Sequence, residues 1–205
     1  MNRRAVVASL GAGMLAGCIS LQQPAPPIRE YRLDYAAPVM SVERLPVIVR
    51  VAPLTVTAVY DRQQIVYRDD RFTTGTYFYH RWSTNPGQML TDLLARDLAD
   101  GQSFAAVQQG VTVAPGDYQL SGAIEEIEER PAENGCAAHL AVRLILVRAR
   151  RPSAGRVLWQ TPYVADEPCA CNDVAALARA MSAAAERVSS QVQRAVYEAI
   201  RNDRP

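Results

Sequence analysis

The carboxy-terminal third of the chain restricts its fold more than any other stretch. Leu140, Val142, Leu144 and Leu146 alternate there with His139, Ala141, Arg143 and Ile145, and period two is what a strand with one buried face requires. A turn, Arg151-Pro152-Ser153-Ala154-Gly155, separates this run from a second one at 156–164 that carries Leu158, Trp159 and Tyr163. A third strand-like run spans 118–129, so an antiparallel meander of three long strands is expected. Farther on, from 173 to about 201, Val174, Leu177, Ala178, Met181, Ala184, Ala185, Val188, Val192, Ala195, Val196 and Ile200 recur at spacings of three and four. That is one apolar stripe on a helix of about 43 Å, at 1.5 Å per residue, with Asn172 as its expected cap. The alanines in the stripe let the helix lie close to the sheet whose leucine face it must cover.

Upstream, β-branched and aromatic residues bounded by Pro, Asp and Gly mark shorter strands at 30–33, 47–52, 64–68, 76–82 and 104–107. Asn85-Pro86-Gly87-Gln88 offers a cap, a proline at the first helical position and a capping-box glutamine, ahead of Met89, Leu90, Leu93, Leu94 and Leu98 at helical spacing. Asp92, Arg96 and Asp100 fall outside that stripe, and Gly101 is the expected stop. The fold class is therefore α/β in the broad sense, α+β: two layers, a mostly antiparallel sheet with two helices packed on one face. The face without helices must be solvated or covered by a partner. With 205 residues, 49% of them hydrophobic, and no internal repeat, a single domain over 30–205 is expected.

Charge and motifs exclude several functions. Lys and Arg total 22 against 21 Asp and Glu, interspersed along the chain, so nucleic acid is not an expected partner. No Gly-x-Ser-x-Gly, His-Glu-x-x-His or Gly-x-x-x-x-Gly-Lys occurs. The usual means of activating a serine, a metal-bound water or a phosphate are therefore missing, and no catalytic residue, metal or cofactor is expected. His80 and His139 each lack a second ligand at metal spacing and read as structural; Glu125, Glu126, Glu128 and Glu129 read as a solvated strand end. Cys136, Cys169 and Cys171 are candidates for one disulfide if the compartment is oxidising. Pairing about the Pro152 turn makes opposite residue numbers add to about 305 or 307, which sets Cys136 across from Cys169 or Cys171 respectively. Sequence does not choose between them.

The amino terminus supplies that compartment. Arg3 and Arg4 precede an apolar run at 5–15, and Leu15-Ala16-Gly17-Cys18 ends it. The run is about a dozen residues where a membrane-spanning helix needs about 20, so residues 1–17 read as a cleaved signal peptide. The ending looks like a bacterial lipobox, which implies lipid attachment at Cys18. Small residues before the cysteine admit a bulky lipidated side chain to the peptidase, and three acyl chains then hold the product on a membrane. Ile19 and Ser20 stand where an aspartate would favour inner-membrane retention in such lipoproteins, so the expected location is the periplasmic leaflet of a Gram-negative outer membrane. Residues 18–29, with Pro24, Pro26 and Pro27, read as an extended tether reaching about 30 Å.

Arg68, Tyr77, Tyr79, Arg81 and Trp82 interleave arginines with aromatics on neighbouring strands, the residue types enriched at the centres of interfaces, and are the candidate partner surface. The other reading of the same residues is Tyr and Trp in the core and Arg in water. Several of these positions also carry a likeness. The lipobox, Tyr31-Arg32-Leu33, Ile65-Val66-Tyr67-Arg68, His80-Arg81-Trp82, Pro86 to Leu90 with the helix after it, Asp117-Tyr118-Gln119-Leu120-Ser121-Gly122 and Trp159 resemble the ABC-type transport auxiliary lipoproteins, the PqiC-like family. The segments around Cys136 and Cys169-Ala170-Cys171 are not part of that pattern. The resemblance implies an outer-membrane component working with an MCE protein and an ABC permease and ATPase in lipid transport, docking through the candidate surface, with homo-oligomers expected. Two alternatives accompany it: an adaptor lipoprotein of another envelope machine, and a periplasmic hydrolase, which the missing nucleophile constellation disfavours.

Overall fold

The computed structural model describes residues 25–110, 116–150 and 152–203. The signal peptide, Cys18 and the tether as far as residue 24 lie outside the described residues. The elements run β1 (Arg29–Tyr31), β2 (Leu45–Val51), β3 (Thr55–Val56), β4 (Gln64–Arg68), β5 (Thr74–Trp82), α1 (Pro86–Asp100), β6 (Phe104–Gln109), β7 (Tyr118–Ala132), β8 (Gly135–Arg148), β9 (Val157–Cys169) and α2 (Val174–Asp203).

β7 is the spine of a single mixed sheet. Along one edge it pairs antiparallel with β8, which pairs antiparallel with β9, so the expected meander is present. Along its other edge β7 meets β2, β3 and β4 in turn, each parallel. β6 lies outside β2, while β5 and then β1 lie outside β4. The long ladders are antiparallel and the short ones mostly parallel. β3 is too short to leave a periodic signal in the sequence.

The leucine face of β8 is sealed by α2: Leu140, Val142, Leu144 and Leu146 are 0% exposed, as are Leu177, Met181, Val188, Val192 and Val196 opposite them. Burying an apolar side chain of this size contributes about 1.5–3 kcal/mol, so this layer dominates stability. Gly122 lets β7 and β8 approach, since a Cβ there would sit 2.1 Å from the Arg143 carbonyl oxygen. At the open edge of β9, Pro162 and Pro168 fit only where their nitrogens turn away from β8. They thereby remove donors from an edge that could otherwise recruit another strand.

Helix ends differ in detail from expectation. Asn85 caps α1, accepting from the Gly87 amide at 2.8 Å, but Gln88 donates to Asp92 at 2.7 Å and closes no capping box. Gly101 follows the last helical residue in a right-handed conformation, and the positive φ of 50° falls on Gln102. Asp173, not Asn172, caps α2, accepting from the Ala176 amide at 2.9 Å. Asn172 instead takes φ 59°, a left-handed position that asparagine tolerates, and turns the chain from β9 into the helix.

One polar group inside α1 was invisible in its stripe. Asp97 is fully buried and accepts from the hydroxyls of Tyr35, at 2.8 Å, and Ser189. It ties the segment after β1 to both helices. Burial, followed by the Asp97 charge, pushes the Tyr35 hydroxyl far above the usual tyrosine range.

Candidate partner-binding surface

The face of the sheet turned away from the helices is closed by ion pairs. Arg68 Nε lies 2.7 Å from Glu128 Oε1, whose side chain is completely buried, and a second guanidinium nitrogen lies 3.4 Å from Glu126. Tyr60, on the segment between β3 and β4, donates to Glu128 Oε2 at 2.7 Å. Burial and then that hydrogen bond push the Tyr60 hydroxyl up to about 12. His139, itself buried, carries a carboxylate on each ring nitrogen: Asp166 at 2.8 Å from Nδ1 and Glu126 at 3.2 Å from Nε2. Arg130 meets Asp166 at 2.7 Å, and Arg143 meets Glu125 at 2.6 Å.

This overturns the reading of Glu125 to Glu129 as a solvated strand end. A bulge between Ile124 and Glu126 resets the alternation of β7. Glu128 then lies beneath Tyr60, and Glu129 is drawn inward, where its carboxylate accepts from the Tyr77 hydroxyl at 3.1 Å and the Asn172 amide at 3.3 Å. Buried carboxylates of this kind persist because each is hydrogen-bonded or paired. His139 does stand opposite the leucine face, but in the network and out of water. His80 is held by the Tyr31 hydroxyl, 2.9 Å from its Nδ1, and stacks on that ring.

The five candidate interface residues are not one surface. Trp82 is 2% exposed and belongs to the core, which corrects the expectation that it faces a partner: an indole already sealed by its own domain has no face to offer. Tyr77 points its hydroxyl at buried Glu129, and burial, with that carboxylate, raises it far above the usual tyrosine range. Arg68 is committed to Glu128. Arg81 grips Glu30 with two nitrogens, at 3.1 and 2.5 Å, fastening β1 to β5 while staying partly exposed. Tyr79 is half-buried beside Phe78, ring centroids 4.9 Å apart. The most exposed aromatics were missed altogether: Phe72 in the β4–β5 turn and Phe78 on β5 are 89% and 82% exposed. Phe78 was legible only as one more aromatic in a continuous aromatic run, and Phe72 sits in a turn where no periodicity operates.

Cys136 stands opposite Cys169 in the β8–β9 ladder, yet its disulfide is with Cys171, just beyond the end of β9. A bridge need not join the residues that face each other across a ladder. The Cys169 thiol is free, and burial, with the Glu129 charge, pushes it up to about 11. It is almost wholly protonated at neutral pH and a poor nucleophile. Among the described residues no group of three or more His, Cys, Asp or Glu could hold a metal ion.

Residues 31–193 match the family described as the ABC-type transport auxiliary lipoprotein component. The chain belongs to that family. Among solved structures, protein XCC0632 from Xanthomonas campestris superposes with a TM-score of 0.77 at 20% identity, covering 85% of this chain and 98% of that one. The hypothetical protein CT253 from Chlamydia trachomatis does so at 0.55 and 10% identity, covering 76% and 98%. Likeness at such identities establishes the fold alone. No curated protein matches the chain. An auxiliary lipoprotein of ABC-type transport is a membrane-anchored envelope component, and its role is to assist transport. Among the described residues no helix is long and apolar enough to cross a membrane.

Proposed function

We propose that this auxiliary lipoprotein is a docking subunit of an ABC-type lipid transport system, anchored through acylated Cys18 to the periplasmic leaflet of the outer membrane. It meets an MCE protein driven by the ABC permease and ATPase in the inner membrane. The observation that carries the reading is the family match over 31–193, which spans every strand beyond β1, all of α1 and α2 as far as Gln193. The chemistry agrees with a docking role: the titratable groups of the open face are spent on one another, and the free thiol is held protonated. Energy for transport then comes from the ATPase.

The part of the candidate surface left for a partner is Tyr79 and Arg81, with the outer rim of Arg68. Affinity purification of the tagged lipoprotein from detergent-solubilised envelope is expected to bring down the MCE subunit and permease. Tyr79→Ala and Arg81→Ala are each expected to weaken that association by about 1 kcal/mol or more, as for interface aromatics and arginines generally. Recovery without any MCE or permease subunit, under conditions that preserve a known complex of that type, would refute the partnership.

A further inference from the structure

The chain has three phenylalanines, and only Phe104 is buried; Phe72 and Phe78 are 89% and 82% exposed. Exposed apolar side chains are ordinary singly. Two of the largest on one hairpin, both left exposed among the described residues, mark a surface that meets something apolar. The hairpin is also built to hold its tip out. Asp70 accepts from the amides of Phe72, at 2.7 Å, and Thr73, at 2.9 Å, and from the Thr73 hydroxyl at 3.1 Å. These bonds lower the Asp70 pKa and fix the turn. The Arg71 guanidinium lies 5.6 Å from the centre of the Phe72 ring, an arginine beside an aromatic as is common where one end of a surface is greasy and the other wet.

Topology says what the hairpin meets. β1 runs parallel to β5, with Arg29 opposite His80 and Tyr31 opposite Trp82. The chain that precedes Arg29 therefore leaves the sheet toward the lower-numbered end of β5, the end that holds Phe78 and the turn. Ile28, 55% exposed, is the first residue on that path. From His80 back to Thr74 the strand covers about 20 Å at ~3.3 Å per residue, whereas residues 18–28 reach about 30 Å when extended. An anchor at Cys18 can thus seat the turn on the same bilayer without strain.

We infer that the β4–β5 hairpin is a second membrane contact, with Phe72 and Phe78 entering the boundary between headgroups and acyl chains next to the lipid anchor. The inference rests on the proposed acylation of Cys18. Asp69 and Asp70 outnumber Arg71 in the turn, so the contact is carried by the aromatic rings and draws nothing from anionic lipid. One bilayer-seated hairpin beside a flexible tether would fix the orientation of the domain, turning its ion-paired face in a constant direction relative to the membrane.

The test uses the full acylated chain carrying Phe72→Trp, reconstituted into vesicles of phosphatidylethanolamine and phosphatidylglycerol with or without bromine on the upper acyl chain. The exposed site tolerates the exchange, and the unsubstituted chain, with only Trp82 and Trp159, serves as the background. Brominated lipid is expected to remove about half or more of the introduced indole's emission, equally with and without phosphatidylglycerol, as for an interfacial side chain. Phe72→Ser with Phe78→Ser is expected to speed tryptic cleavage after Arg71 in vesicles while flotation persists. An indole that stays open to aqueous iodide on floating vesicles overturns the hairpin contact and leaves the anchor standing. Shielding from iodide without bromine quenching overturns it in favour of a protein occupant such as a second copy. Failure to float, with an unmodified Cys18 by mass spectrometry, overturns the anchor and the contact together.

Discussion

Two parts of this sheet are held together by different physics. In the meander of β7, β8 and β9, continuous backbone ladders run the length of the strands, α2 seals one face with side chains at 0% exposure, and a disulfide spans the far end. The wing of β1, β4 and β5 joins β7 through a single registered pair, Tyr67 opposite Glu129. Side chains do the rest: Ile65, Val66 and Trp82 enter the common core, and Arg68 meets Glu126 and Glu128, Tyr60 meets Glu128 and Tyr77 meets Glu129. Backbone hydrogen bonds in a ladder do not titrate, whereas a buried carboxylate that loses its partner is left uncompensated. The wing also carries the exposed phenylalanines and, in β1, the first strand of the described chain.

The largest expected effect strikes both parts but separates two roles. Leu144→Ala in the meander and Trp82→Ala in the wing are each expected to cost about 3–5 kcal/mol in denaturant unfolding. Trp82→Ala is expected to leave partner recovery per folded molecule unchanged; a selective loss of association would return Trp82 to the interface. Next, Cys136→Ser is expected to cost about 2–4 kcal/mol by releasing a closed span of 35 residues, a loss confined to the meander side. Arg68→Ala is expected to cost about 2–3 kcal/mol by leaving buried Glu128 without its cation, with only the Tyr60 hydroxyl as partner. Hydrogen exchange is expected to show β4 and β5 opening well before β8; uniform acceleration would contradict a separately attached wing.

Alkaline pH probes the same junction. Unfolded, a cysteine titrates at about 8.5 and a tyrosine at about 10. In the folded chain Cys169 is raised to about 11 and Tyr60 to about 12, with Tyr77 higher still, by burial and the neighbouring glutamates. The native state then holds protons that the unfolded chain releases, so stability is complete below about pH 8.5 and falls as pH rises through 11 and 12. Tyr60→Phe and Cys169→Ser are expected to flatten that fall. Cys169 is likewise expected to alkylate on the order of a hundredfold more slowly than a free thiol at pH 8, in line with its thiolate fraction. The smallest effect belongs to Glu30→Ala, which breaks an exposed pair with Arg81 and is expected to cost about 0–1 kcal/mol. A larger loss would show β1 to be integral to the core.

The meander, both helices, β4 as 64–68 and the start of α1 at Pro86 were legible because each rests on consecutive residues. So was the family, through motifs in fixed order. The candidate site was far less legible. Arg68, Tyr77 and Trp82 were chosen for residue type, and type does not say whether a side chain meets a partner, a buried glutamate or the core. Nothing near Glu128 in the chain announces Tyr60, which arrives 68 residues away in sequence.

Sequence by itself determined the periodic elements and the lack of familiar nucleophile motifs, and it alone carries the proposed leader and its cysteine, since these are properties of neighbouring residues and spacing. Only the tertiary structure decided that β7 would carry three short parallel strands, that Cys136 would bond past its ladder partner, that Trp82 would turn inward and that Phe72 and Phe78 would be left exposed. Burial and pairing of those groups depend on which distant segments pack over them. A bulge of one residue or the course of one connecting loop is enough to reverse the outcome.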